Sequence, residues 1–343
     1  GLFSILLLLT LAFLHFILPD RLEQSFNRNL PHDDYVIRPE VQSFHDTLFV
    51  TDLHSDSLLW KRDLLEESET GHVDLPRLQQ GNVAVQVFSA TTKSPAGQNY
   101  ASNTSVSDNI TLVAMSMFWP VRTWMSLYER AIYQARKLST FADRSNGELL
   151  FVTSKQDFEH FLVRRDAGEK VVAGLYLIVG AHPLEGRVDN LDGLVKEGMT
   201  ISGFTHFFDN LLGGSLHGQS GEGLTDFGRA ALQRMGEQGV IVDIAHASPK
   251  MVEDILDASD RPVLLSHGGI KGSCDVGRNL DDSLMRRVAA EGGLVGIGYW
   301  DGAVCDVTPE GIVSSIRYAI DLMGVDHVAL GSDYDGATAA LMD

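Results

Sequence analysis

One unit recurs eight times along this chain: a short run rich in Val, Ile and Leu, then a polar turn, then a stretch with helical spacing. The runs are LFVTDLHSD (48–56), NVAVQVFSATT (82–92), VAGLYLIVGAH (172–182), MTISGFTH (199–206), VIVDIAHAS (240–248), PVLLSHGG (262–269), LVGIGYWDG (294–302) and HVALGSDYDG (327–336). The stretches between them carry helix-boundary signals. Ser248 followed by Pro249 makes an N-cap and first-turn pair, while LTDFGRAALQRMGEQG and DDSLMRRVAAEGG end in a glycine suited to a C-cap. Strands alternating with helices imply a parallel sheet, and eight of them imply a closed (β/α)8 TIM barrel. A doubly wound open sheet is the competing arrangement. It needs a glycine-rich phosphate loop after the first strand, where this chain reads DLHSDSLLW.

The barrel is expected over residues 46–343, behind a polar, proline-punctuated linker at 20–45 and a hydrophobic anchor or signal segment at 1–19. Leu2 to Leu18 holds no formal charge and sits at the short limit for a spanning helix. No Ala-x-Ala cleavage site or lipid-accepting Cys accompanies it, which favours an uncleaved anchor. The sequence stops at GATAALMD just after the eighth run, so the barrel is expected to be truncated after that strand. A net charge of −19 argues against nucleic acid and against simple adhesion to anionic lipid. The two cysteines, Cys274 and Cys305, are too few for a disulfide framework or a Cys-based zinc site, and two buried thiols are favoured over one disulfide. Asn103 and Asn109 lie in N-x-S/T sequons and are read as ordinary loop residues.

In such a barrel the C-terminal strand ends converge on one face, where catalytic groups sit. Five histidines fall at these ends, His54, His182, His206, His246 and His267, joined by Asp56 on the first strand and Asp333 on the eighth. His54 and Asp56 are two apart and share a face, so both can grip one cation. His246 and His267 end consecutive strands, a separation that suits a second zinc-like ion. Asp333 is placed to take a proton from water activated by an ion, and Asp335 reads as a turn residue before Gly336. His206 is a candidate for stabilising an oxyanion, and Arg278 for clamping a carboxylate.

The motifs DLHSDSLLW, GAHPLEG, GFTHFFDN, GLTDFGR, VDIAHAS, PVLLSHGG, GRNLDD, EGGLVGIG and LGSDYDG occur in the order seen in membrane dipeptidases, the renal dipeptidase-like metallopeptidases. The resemblance runs from about residue 30 to the end, and the chain looks like a bacterial-type member. It implies a metal-dependent amidohydrolase-type barrel that binds two Zn2+ and hydrolyses dipeptides, with His54 and Asp56 on one zinc and His246 and His267 on the other. His206 would then stabilise the tetrahedral intermediate and contact substrate, Arg278 would bind the substrate carboxylate, and Asp333 would shuttle the proton. It also implies a membrane-anchored, extracytoplasmic enzyme and a homodimer.

One position departs from the pattern. The third strand of the family ends Glu-Gly-x-His, and that Glu bridges the two metals, whereas Val179 stands here in IVGAH. His182 and Glu185 fit the rest of the motif, which holds the register. Val cannot bridge, so activity is expected to be impaired; Glu185 and Glu222 are the conceivable substitute ligands. Two other functions remain open: a non-catalytic barrel for binding or scaffolding, and another metal-dependent amidohydrolase acting on cyclic amides. The second commonly uses HxH on the first strand and a carbamylated Lys as bridge, where this chain has HxD and no Lys at the end of strand three or four.

Overall fold

The computed structural model describes residues 13, 17–27, 29–30, 36–336 and 340–341. Eight parallel strands form the barrel: β1 (Val50–Ser55), β2 (Val83–Ala90), β3 (Val172–Ile178), β4 (Met199–Gly203), β5 (Ile241–Asp243), β6 (Leu264–Gly268), β7 (Leu294–Ile297) and β8 (Val328–Leu330). Their order is β2-β1-β8-β7-β6-β5-β4-β3, and pairing of β2 with β3, from Val85 opposite Ala173 to Ala90 opposite Ile178, closes the ring. The predicted (β/α)8 barrel is therefore the fold, and the open sheet is excluded. An unanticipated short strand, Leu149–Phe151, lies along the first half of β3. Further along, β4 takes its place, with Tyr176 opposite Met199. Three residues are too few to show a period, so this strand left no pattern to read.

Side-chain alternation on β3 fixes which residues face inward. Leu175, Leu177 and Val179 pack with Leu53, Val87, Ile201 and Leu264 inside the barrel. Val172, Tyr176 and Ile178 belong to the outer layer beneath the helices. A one-residue slip would exchange these two sets, so the register of Val179 is set by burial on both faces.

Helices cover the outside, among them α1 (Leu127–Arg144), α2 (Asp226–Gln238) and α3 (Pro249–Ala258). Ser248 caps α3 as expected, its hydroxyl accepting from the Met251 amide at 3.0 Å. Gly239 ends α2 with φ 75°, a left-handed conformation that costs glycine nothing. Within the span expected as a linker, helices run over Leu18–Phe26 and Pro39–His45. Glu23 of the first is buried, with Oε1 3.1 Å from Arg62 Nε. The segment 1–19, expected as an anchor, lies almost wholly outside the described residues. No helix among the described residues is long and apolar enough to cross a membrane.

The cysteines correct an expectation. Cys274 and Cys305 are not free thiols but form a disulfide with Cα atoms 5.6 Å apart. The barrel brings the loop after β6 beside the turn that follows the short helix Asp301–Val304, a meeting that spacing alone does not reveal. Asn103 sits in a loop with its amide turned inward, donating to Asn99 O at 2.7 Å and His217 O at 3.1 Å. Asn109 opens the helix Asn109–Ser116 rather than lying in a loop.

The long excursion between β2 and α1, which forms one wall of the barrel mouth, is tied down by Arg130 of α1. This side chain is 1% exposed. It donates to the carbonyls of Thr92, Thr123 and Trp124, to Thr111 Oγ1 and to Asp108 Oδ2, all at 2.6–2.8 Å. A neutral side chain of similar length would strand these acceptors. Arg130→Met is therefore expected to destabilise the fold by about 3 kcal/mol or more in denaturant unfolding. A loss below about 1 kcal/mol, ordinary for any point mutation, would show that the loop does not depend on it.

Candidate active site

A cavity of about 390 Å³ opens at the C-terminal ends of the strands, at the low end of small-molecule pockets. His54, Asp56, His206, His246, His267, Arg278 and Asp333 all line it, so seven residues singled out from sequence meet in one place. A larger cavity, about 1070 Å³, lies at the opposite mouth among Phe49, Val85, Leu175 and Leu294. Its lining is mainly apolar and lacks the converging His and Asp groups, so the chemistry belongs at the smaller one.

The strand ends aim their ligand atoms at one another. His54 Nε2 lies 3.7 Å from Asp56 Oδ2 and 3.7 Å from Asp333 Oδ1. The rings of His54 and His267 are 3.8 Å apart between centroids, and Nε2 of His267 is 3.0 Å from Nε2 of His246. His54, His267 and Asp333 form a group whose ligand atoms all fall within 4.8 Å, suited to a metal ion. Two of the backbones that present these groups are left-handed, with φ 61° at His246 and 59° at Asp333. Such conformations are uncommon outside glycine and concentrate at functional sites.

Behind the ligands lie two buried carboxylates that sequence reading passed over. Asp243 on β5 accepts from Ser266 on β6 through both the amide (2.9 Å) and the hydroxyl (2.6 Å). The Ser266 proton is thus committed, and at 2.9 Å its oxygen accepts from Nδ1 of His267, leaving that ring's Nε2 lone pair toward the cavity. Asp52 on β1 grips Ser332, beside Asp333, in the same way, with both contacts at 2.7 Å. Both acids stand two or three residues before a histidine of the site, in TDLH and VDIAH, and that placement was the available signal.

Burial sets the charge states. It holds His246 and His267 well below the ordinary imidazole range, helped by Arg278 and neighbouring rings, so both are neutral, the form in which an imidazole can bind a metal. Burial also raises Asp333 to about 7, His54 opposing and Asp56 reinforcing the shift. Asp56 is also buried, but His54 and the hydroxyl of Ser89 outweigh that and keep its carboxylate below the usual range. His206 is pushed down to about 4 by burial. Its Nδ1 faces Lys93 O at 3.3 Å and so carries the proton, which leaves Nε2 an acceptor until the ring is protonated.

Arg278 is 2% exposed and has no carboxylate partner among the described residues. One Nη2 donates to His267 O at 2.7 Å, Nε has no partner, and the guanidinium lies 5.5 Å from the centre of the Trp300 ring. Trp300 Nε1 in turn donates to Tyr100 Oη at 2.8 Å. The Cys274–Cys305 disulfide joins the loop that carries Arg278 to the helix that follows Trp300.

The other singled-out residues lie elsewhere or serve otherwise. Val179 is 2% exposed in the apolar floor beneath the cavity and does not line it. His182 does not line the cavity; it stacks on Phe208 at 4.7 Å, and its Nδ1 faces Asn210 Nδ2 at 3.0 Å. Glu185 caps α1, accepting from the amides of Leu127 (2.7 Å) and Tyr128 (3.2 Å), and Glu222 is exposed in its loop. Neither replaces the missing carboxylate. Asp335 lines the cavity yet is no simple turn residue: it is fully buried, bound by the Ser57 hydroxyl (2.5 Å), the His72 amide (2.7 Å) and Arg62. The nitrogen and oxygen donors fit a divalent ion, but not a pair bridged by a carboxylate from β3.

A family model described as membrane dipeptidase (peptidase family M19) matches residues 38–343. The chain is 30% identical over 207 residues to an uncharacterized protein in the pqqA 5' region of Klebsiella pneumoniae, covering 57% of this chain and 74% of that one. It is 26% identical over 273 residues to an uncharacterized dipeptidase of Schizosaccharomyces pombe, covering 78% of this chain but only 62% of the relative's length. A metallo peptidase from Rhodobacter sphaeroides, solved with a phosphinate mimic of the dipeptide L-Ala-D-Ala, has the same fold. Its TM-score is 0.66 at 22% identity, covering 85% of this chain and 87% of that one. Barrel, strand-end constellation and a family match across nearly the whole chain agree: this protein belongs to the membrane dipeptidase family.

Proposed function

We propose that the chain is a metal-dependent dipeptidase acting in the cavity at the C-terminal face of the barrel. One observation carries this reading: a buried arginine with no acidic partner among the described residues, Arg278, shares a small cavity with converging His and Asp side chains. A dipeptide presents a free carboxylate one residue from its only peptide bond, which is the separation such a cavity can serve. The phosphinate mimic of a dipeptide bound by the Rhodobacter sphaeroides structure supports the same substrate class.

In this reading Arg278 holds the substrate carboxylate and so sets which amide reaches the ligands. Asp333, beside His54, accepts the proton released when water adds to the carbonyl and passes it to the leaving amine. His206, neutral at rest because burial pushes it down to about 4, faces the developing oxyanion, whose charge would draw a proton onto Nε2 so that it can donate there. Ligands drawn from His54, Asp56, His246, His267 and Asp333, which line this one cavity, would hold the metal, and such a donor set suits zinc. The metal supplies Lewis-acid polarisation and lowers the pKa of water. Without the bridging carboxylate at 179, turnover is expected to be reduced. Val179 also favours one second reading, a barrel that binds peptides without cleaving them.

The anchor at 1–19 and an extracytoplasmic barrel belong to this proposal. The Cys274–Cys305 disulfide supports the extracytoplasmic placement, since such bonds persist in oxidising compartments.

The test is hydrolysis of dipeptides, C-amidated dipeptides and cyclic amides before and after chelation. Expected are turnover of free-carboxylate dipeptides, its loss on chelation, and its return with zinc. Hydrolysis of cyclic amides alone would sink the dipeptidase reading, and binding without turnover would favour the second one. Arg278→Met should cost roughly 30-fold or more in kcat/KM, carried mainly by KM. Reducing the disulfide, or Cys305→Ser, should raise KM roughly 3–10-fold with little change in kcat, because the Arg278 loop must then be ordered on binding. An unchanged KM would show that the loop holds its place without the cross-link.

A further inference from the structure

We infer that the centre holds one divalent ion rather than two, on His54, His267 and Asp333. This deepens the reading above and rests on its placing of the metal. The trio draws one ligand from each of the two expected pairs and adds the carboxylate expected only as a base. Their ligand atoms lie within 4.8 Å of one another, a group drawn from β1, β6 and the turn after β8.

The bottom of the cavity excludes the alternative. Two neighbouring dications need an anion between them, and the strand that would supply it presents Val179 instead. That side chain is locked among Leu53, Val87, Leu177, Ile201 and Leu264, so no rotation of it brings a polar atom forward. The other acids nearby are committed: Asp243 to Ser266, Asp52 to Ser332, Glu185 to the start of α1. Asp56 turns Oδ1 to the hydroxyls of Ser89 and Thr91, the latter at 2.9 Å. His246 lies next to His267, but its Nδ1 has no hydrogen-bond partner among the described residues. His267, by contrast, is oriented by Ser266, whose hydroxyl also lies 3.4 Å from His54 Nδ1. The two histidines of the trio thus share one orienting hydroxyl.

Asp333 then has two duties, split between its oxygens. Oδ1, 3.7 Å from His54 Nε2, is the ligand, and Oδ2 remains for the proton.

The experiment is metal stoichiometry on the whole chain, stripped with chelator, reloaded with Zn2+ and desalted before elemental analysis. Mn2+-loaded protein is examined in parallel by electron paramagnetic resonance. One tight equivalent per chain is expected, with the hyperfine pattern of an isolated ion. Two equivalents, a spin-coupled pair, or no tight equivalent would overturn the inference. Asp333→Asn should weaken Zn2+ affinity by roughly 100-fold, whereas Asp56→Asn should change it by less than about 10-fold. If Asp333→Asn leaves affinity intact while turnover falls, Asp333 is only a base and the inference fails. Val179→Glu should raise the count toward two if it folds, but the unmodified chain decides the matter either way. One ion without dipeptide turnover would sink the dipeptidase reading and leave this one standing; two ions with turnover would do the reverse.

Discussion

The site depends on a pair of latches between neighbouring strands. Asp243 to Ser266 and Asp52 to Ser332 are each a buried carboxylate accepting an amide and a hydroxyl from one serine. Burial raises both acids above the ordinary range, so the hydrogen bonds offset a real desolvation cost. In return each latch fixes the residue that follows its serine: His267 in one case, Asp333 in the other. The strand ends are splayed by the barrel's tilt, and without these cross-ties their side chains would rely on packing alone to converge.

The strand-end residues were legible because a closed parallel barrel gives position a meaning. Once eight runs are recognised, the end of each run is a place on one face, and His54, His206, His246, His267 and Asp333 follow at once. Arg278 came from its motif and not from any period. The disulfide was misjudged because two cysteines 31 residues apart carry no sign of proximity until the barrel curls their loops together. His182 was grouped with the site histidines because it also follows a strand. A tight turn after Gly180 carries it instead against Phe208. The latches stayed hidden because an acid inside a strand looks like a break in an apolar run until its partner on the next strand is known.

Val179 joins two demands that usually compete. Catalytic ligands at a barrel mouth cost stability, because polar groups are held out of water for the sake of chemistry. Here the residue just past β3 carries a β-branched side chain that joins the barrel's interior packing. The same residue lies beneath the cavity without lining it, and it brings no negative charge to the place where the family pattern has a carboxylate.

The two left-handed residues bear on which parts of such a centre can drift. At His246 and Asp333 the backbone itself screens substitutions: Asn, Asp, His and Gly accept φ near 60°, and β-branched residues do not. Most residues admitted there can still bind a cation or a proton. Position 179 has no such screen, for its φ is not left-handed and its neighbours are apolar, surroundings that valine tolerates well. Just past the end of β3, nothing in the backbone calls for a residue able to bind a cation, so a ligand at 179 is held by its chemistry alone.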